Sequence, residues 1–274
     1  MLGTVTTTEE QTLSTLKAVK TAGFDGIELN GFMIKPTPLI VQLLTKAAGM
    51  PTGKGGKYDW KGLLSEADLV VTGIHEDLGT ITKDADAVIE EAKHFATDKV
   101  IITGMYRFDY MDVDALWGLC KSMNEAGEKL EKEGIHLLYH NHNCEFRRLP
   151  DGQTSYDFIL RNTNPEFLNF ELDSYWPTEA GVSAIHLMHK LGNRMKLYHI
   201  NDRGTKKTGL TMTPILKSDS MELGTGNMDL EEPIEQALAV NVAAIVLESH
   251  KNWIDKSPIR SIEVSGEYLK KFEL

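Results

Sequence analysis

The stretch "GIHLLYHNHNCEF", residues 134 to 146, passes from a short apolar run straight into two histidines, two asparagines, a thiol and a carboxylate. An apolar run of this length behind a glycine reads as a buried strand. Ligand-type side chains gathered where a strand ends suit a fold whose chemistry sits at the carboxyl ends of its strands. The pattern recurs along the chain. Similar runs stand at 2–5 (LGTV), 26–30 (GIELN), 69–74 (LVVTGI), 99–103 (KVIIT), 135–140 (IHLLYH), 168–173 (LNFELD), 196–200 (KLYHI) and 243–248 (AAIVLE), eight in all.

Longer segments with helical periodicity lie between them, among them "TEEQTLSTLKAVKTA", "DADAVIEEAKHFA", "DALWGLCKSMNEAGEKLEKE" and "DLEEPIEQALAV". Several open on an acidic or hydroxyl residue and close near Gly or Asn, as helix termini prefer. Strands alternating with helices predict a (β/α)8 TIM barrel, with a doubly wound sheet as the alternative that periodicity alone does not separate. No linker, charge block or short repeat interrupts the 274 residues, so a single domain over 1–274 is expected. The loop "GMPTGKGGKYDW" (49–60) lacks the strand before it and the Lys-Ser/Thr after it that a phosphate-cradling loop needs. It reads as a surface loop or lid.

Composition narrows the function classes. A formal net charge of -11 repels nucleic-acid phosphates, and no apolar run has the roughly 18 residues of a membrane span. Neither nucleic acid nor membrane is an expected partner. The start "MLGTVTTTEEQ" has no basic n-region or apolar h-region, and Cys120 and Cys144 are too few for a disulfide framework. A cytoplasmic protein is expected.

The strand ends carry Glu28, His75, then His140, His142 and Glu145, then Asp173, then His199 and Asp202, and finally Glu248 and His250. Each has a plain reading. A strand-end Asp caps the next helix, a Glu after an apolar run is a rim charge, and a lone His is a satisfied core residue. Four successive strands ending in such residues are harder to explain by capping. Carboxylates and imidazoles together form mixed N/O sites for Mn²⁺, Mg²⁺, Co²⁺ or Zn²⁺.

At these residues the chain resembles the sugar phosphate isomerase/epimerase family with the xylose isomerase-like TIM barrel. The resemblance runs from "AGFDGIEL" through "YHNHNCEF", "ELDSYW", "KLYHINDRG" and "MELGTGNMD" to "VLESHKNW". It implies one divalent ion, manganese first, with magnesium, cobalt or zinc as alternatives. The family's ligands come from the fifth, sixth, seventh and eighth strands, and they match Glu145, Asp173, His199 and Glu248. One departure stands out: many members place a glutamate at the end of the fifth strand, where this chain has His140. Either His140 replaces it or Glu145 reaches back, and the carboxylate count favours Glu145.

The resemblance also implies His142 as the base that takes a proton next to a carbonyl, assisted by His140, with Glu145 and Glu248 in the catalytic group. His75, Trp176, Arg203 and Trp253 are candidate substrate contacts: the indoles can stack on a sugar ring, and Arg203 with Lys206 can meet an anion. Asp229 in "ELGTGNMD" enters a helix and is equally an N-cap. The expected activity is a sugar isomerase or epimerase acting on a keto- or aldo-sugar, in a homo-oligomer. The "YHNH" form also resembles the branch holding the metal-binding subunit of C-glycoside deglycosidases. That implies the alternative of a lyase cleaving 3-oxo-glycosides by β-elimination beside a small partner subunit. An apurinic endonuclease and a non-catalytic sugar-binding protein are remoter alternatives.

Overall fold

The apolar runs fold as strands joined by helices. The computed structural model describes residues 5–35, 58–105, 107–205, 212–249 and 251–272. Within these lie β1 (Gly26–Asn30), β2 (Val70–Glu76), β3 (Lys99–Ile102), β4 (His136–His140), β5 (Leu168–Asp173), β6 (Met195–Ile200), β7 (Asp202–Thr205), β8 (Ser218–Met221) and β9 (Ala244–Leu247). Seven of these match the predicted runs after the first, shifted by at most two residues at an end. Of the first run, 2–4 lie outside the described residues, as do 49–57 of the glycine-rich loop, Lys206 and His250.

The chain divides into two compact units, one of Val71–Ile200 with Glu231–Val246 and one of Met1–Val70, Asn201–Leu230 and Leu247–Leu274. In the first, the strand order β2-β3-β4-β5-β6-β9 follows the chain without reversal. A doubly wound sheet reverses its order at a switch point. The parallel pairs β2/β3, β3/β4, β4/β5 and β5/β6 each enclose at least one helix, such as Val113–Glu131 between β3 and β4. This is the winding of a (β/α)8 barrel. Helix starts follow the expected chemistry: Thr8, Asp84 and Asp112 accept hydrogen bonds from backbone N–H groups one turn on.

Alternation along each strand sorts the side chains by face. The register aligns His75 with Ile101, Ile101 with Leu138, His140 with Glu171, Glu171 with Leu197 and Asp173 with His199. One face thus carries an apolar layer of Ile101, Leu138 and Leu197, packed against Ala244. One pleat further toward the strands' carboxyl ends, the same face turns polar. The other face buries Tyr139, Phe170 and Tyr198 completely. Among the described residues no helix is long and apolar enough to cross a membrane.

In the second unit β7 and β8 pair antiparallel, a hairpin the hydrophobic pattern does not announce because "DRGT" and "SDSM" lack alternation. The Asp202 carboxylate organises the loop after it. It accepts the backbone N–H groups of Gly224, Gly226 and Met228 at 3.0, 2.8 and 3.2 Å. A Cβ at Gly226 would collide with that carboxylate, which explains the glycine.

Candidate metal centre and active site

Two buried carboxylates and three histidines share the polar end of the sheet face. Glu171 and Asp173 are fully buried, and His75, His140 and His199 nearly so. Glu171 lies among the imidazoles: its Oε2 is 2.8 Å from His140 Nδ1 and 3.5 Å from His75 Nε2, and its Oε1 is 3.2 Å from His199 Nε2. His140 Nε2 faces Asp173 Oδ2 at 3.9 Å. The His140 and His199 rings are 4.9 Å apart, the His75 and His140 rings 5.7 Å.

Burial by itself would raise the Glu171 pKa. The neighbouring His199 and His75, with the hydrogen bonds from His140 and His199, outweigh it and hold the carboxyl well below the ordinary carboxylate range. Charges buried this deeply persist only beside opposite charge. Protonated imidazoles or a bound cation can supply it.

Asp173 is placed with little freedom. The N–H of Tyr175 donates to its Oδ1 at 2.7 Å. The fully buried side chain of Asn141 brackets its main chain, accepting from Asp173 N at 3.0 Å and donating to Asp173 O at 3.1 Å. The ends of β4 and β5 are therefore pinned side by side. Ligand atoms of His140, Asp173 and His199 lie within 4.8 Å of one another, as do those of His75, Glu171 and His199. This N/O donor set fits a divalent ion of intermediate hardness.

Glu145, expected among the metal ligands, takes a different place. The 3₁₀ turn Cys144–Phe146 folds Glu145 back toward Tyr139, which points to the opposite face of β4 from His140. There its carboxylate accepts the Tyr139 hydroxyl at 2.9 Å, the His142 N–H at 3.1 Å through each oxygen, and the Cys144 thiol at 3.1 Å. Glu145 joins neither group of gathered ligand atoms among the described residues. His140 holds the strand-end position instead.

His142 follows at the rim, half-buried. Its ring is 5.1 Å from that of His140 and 5.5 Å from that of Trp176, which stands on the short helix Tyr175–Glu179 directly after β5. Beneath it Gly104, at φ +108°, leaves the space in which a Cβ would sit 3.2 Å from His142 Cε1.

His75, expected at the substrate, is buried against Glu171. Arg203 Nε donates to Ser218 Oγ across the β7/β8 hairpin at 3.0 Å. Trp253 precedes the 3₁₀ turn Ile254–Lys256, Asp229 is exposed ahead of the helix Glu231–Ala239, and Glu28 and Glu248 are half-buried in the second unit. Sequence reasoning missed Glu171 and Asn141. Period two was the available signal for Glu171, because residue 171 shares a face with residue 173.

The profile of the xylose isomerase-like TIM barrel family matches residues 16–272. An inosose dehydratase of Lactiplantibacillus plantarum is 20% identical over 265 residues, 93% of this chain and 87% of that protein. A sugar phosphate isomerase/epimerase from Parabacteroides distasonis superposes with a TM-score of 0.74 at 19% identity, over 96% of this chain and 89% of that one. A xylose isomerase-like TIM barrel protein from Mycobacterium smegmatis in complex with magnesium gives a TM-score of 0.61 at 15% identity, over 96% and 88%. At such identities the structural likeness speaks for the fold.

Proposed function

The chain belongs to the xylose isomerase-like TIM barrel family, and from that premise we propose that it is a divalent-metal-dependent sugar isomerase or epimerase. It takes a proton from the carbon next to a carbonyl of a keto- or aldo-sugar. The observation that carries this reading is a second imidazole, His142, at the rim, 5.1 Å from the ring of the buried His140. One imidazole is then a ligand and the other is a base.

His140, Asp173 and His199 are the residues that would hold the ion, and Glu248 enters as a fourth ligand on the family resemblance. When bound, the ion supplies Lewis-acid polarisation of a sugar carbonyl, which makes the adjacent C–H acidic. His142 accepts that proton at a ring nitrogen. Returning it to the neighbouring carbon gives an isomer, and returning it to the opposite face gives an epimer. Glu145 fixes the His142 backbone, Gly104 leaves room for the ring, and Trp176 offers an indole face to the sugar.

A second reading has the same first step. The similarity to a protein named as a dehydratase favours elimination after proton removal, with loss of water or, for a 3-oxo-glycoside, of the aglycone. Proton NMR in D₂O of metal-loaded protein with keto-sugars, aldoses and 3-oxo-glycosides tests both. Deuterium at a sugar carbon in an isomeric product supports the isomerase or epimerase, and release of water or aglycone supports elimination. No exchange with any member of the panel overturns both.

A further inference from the structure

His140 and Glu171 are register partners on β4 and β5, and the distance from His140 Nδ1 to Glu171 Oε2 is 2.8 Å. An ionised carboxylate only accepts hydrogen bonds, so Nδ1 carries the proton in this contact. Nε2 then keeps its lone pair, and it looks across 3.9 Å toward Asp173 Oδ2. That distance is too long for a hydrogen bond. Two acceptors facing each other across such a gap call for a cation between them.

We propose that Glu171 is a positioning residue: it fixes His140 in the Nδ1–H tautomer and so makes an imidazole serve where the family resemblance expects a carboxylate. The inference rests on reading His140 as a ligand. Glu171 is suited to the task by burial, because no solvent competes for its Oε2. His75 Nε2, on β2, also lies 3.5 Å from the same oxygen. The strand-end ligand thus has a built orienter, of the carboxylate–imidazole kind that tunes metal sites elsewhere. A free imidazole would have no such constraint on which nitrogen is left bare.

The test is long-range ¹⁵N–¹H correlation of the histidine rings in metal-free and zinc-loaded protein, with His140 assigned through His140→Asn, combined with zinc titration of wild type and Glu171→Gln. In metal-free wild type His140 is expected with its proton on Nδ1, and zinc is expected to move the Nε2 resonance. The Gln amide can donate to Nδ1, so in Glu171→Gln the proton moves to Nε2 and zinc affinity falls about 10- to 100-fold. Circular dichroism should stay that of the wild type. An Nε2–H tautomer for His140 in the wild type, which needs no variant to fold, overturns the inference, as does unchanged zinc affinity in Glu171→Gln. A wild type that takes up no divalent ion overturns the metal-centre reading itself, an outcome distinguishable from both.

Discussion

The Glu145 carboxylate accepts the main-chain N–H of His142 through both oxygens at 3.1 Å, three residues back along its own loop. The carboxylate in "YHNHNCEF" is therefore a clasp on the segment that carries His142. Tyr139 donates to it from below, and because that proton is committed, Tyr110 donates to Tyr139 at 2.9 Å. The Tyr139 phenol is pushed well above its usual range, by burial first and then by the Glu145 charge, so it stays a donor.

Glu145→Gln should accordingly destabilise the protein by about 1–3 kcal/mol, since a buried charged acceptor becomes a neutral one with a single oxygen left to accept. Divalent-metal content should not change. Urea unfolding and metal analysis of the same preparations check the pair of outcomes. Loss of metal with stability intact would return Glu145 to the ligand set.

Asp173→Ala and His199→Ala should abolish metal uptake while the far-ultraviolet circular dichroism survives. His142→Ala should keep the metal and lose about 10²- to 10⁴-fold in turnover, the usual contribution of a positioned base. Metal titration and single-substrate kinetics separate the two classes. Wild-type turnover in His142→Ala would end its assignment as base.

These variants also mark how far the sequence could be read. Short apolar runs separated by capped helices made seven strands legible, because burial on both faces leaves few other residue types. Asp173 and His199 stood out as polar residues at strand ends. Glu171 did not, because it lies inside an apolar run, and only its parity with Asp173 gives it away. The direction Glu145 takes is not legible in the sequence, because it depends on a 3₁₀ turn whose course has no periodic signature. Asn141 gives no sequence signal for its role, since its work is done across strands on the Asp173 main chain.

Gly104→Ala should lower turnover without lowering metal content. The added Cβ lies 3.2 Å from His142 Cε1 and 3.3 Å from Nδ1, so the ring must shift, and φ +108° is strained for alanine. A fall in stability of about 1 kcal/mol or more should accompany it, because alanine here gains no compatible conformation. Thermal unfolding and steady-state kinetics read both effects. Wild-type turnover would mean that the ring position does not matter to the chemistry.

Both thiols should be inert in the folded protein. Burial, followed by the charge of Glu145 and the hydrogen bond to it, pushes Cys144 up to about 12, and burial pushes Cys120 up to about 11. The thiolate is the reactive form, so at pH 8 only about one molecule in 10⁴ for Cys144 and one in 10³ for Cys120 is poised to react. The reactive fraction grows with pH until it meets these raised values. Titration with a chromogenic disulfide at pH 8 should therefore find no fast thiol in native protein and two in denaturant. Because Cys144 donates to the same carboxylate that holds the His142 N–H, Glu145→Gln removes the charge that suppresses its ionisation. Cys144 should then react faster, while Cys120 keeps its slow rate. Equal acceleration of both would point to general loosening of the fold instead of a local release at the clasp.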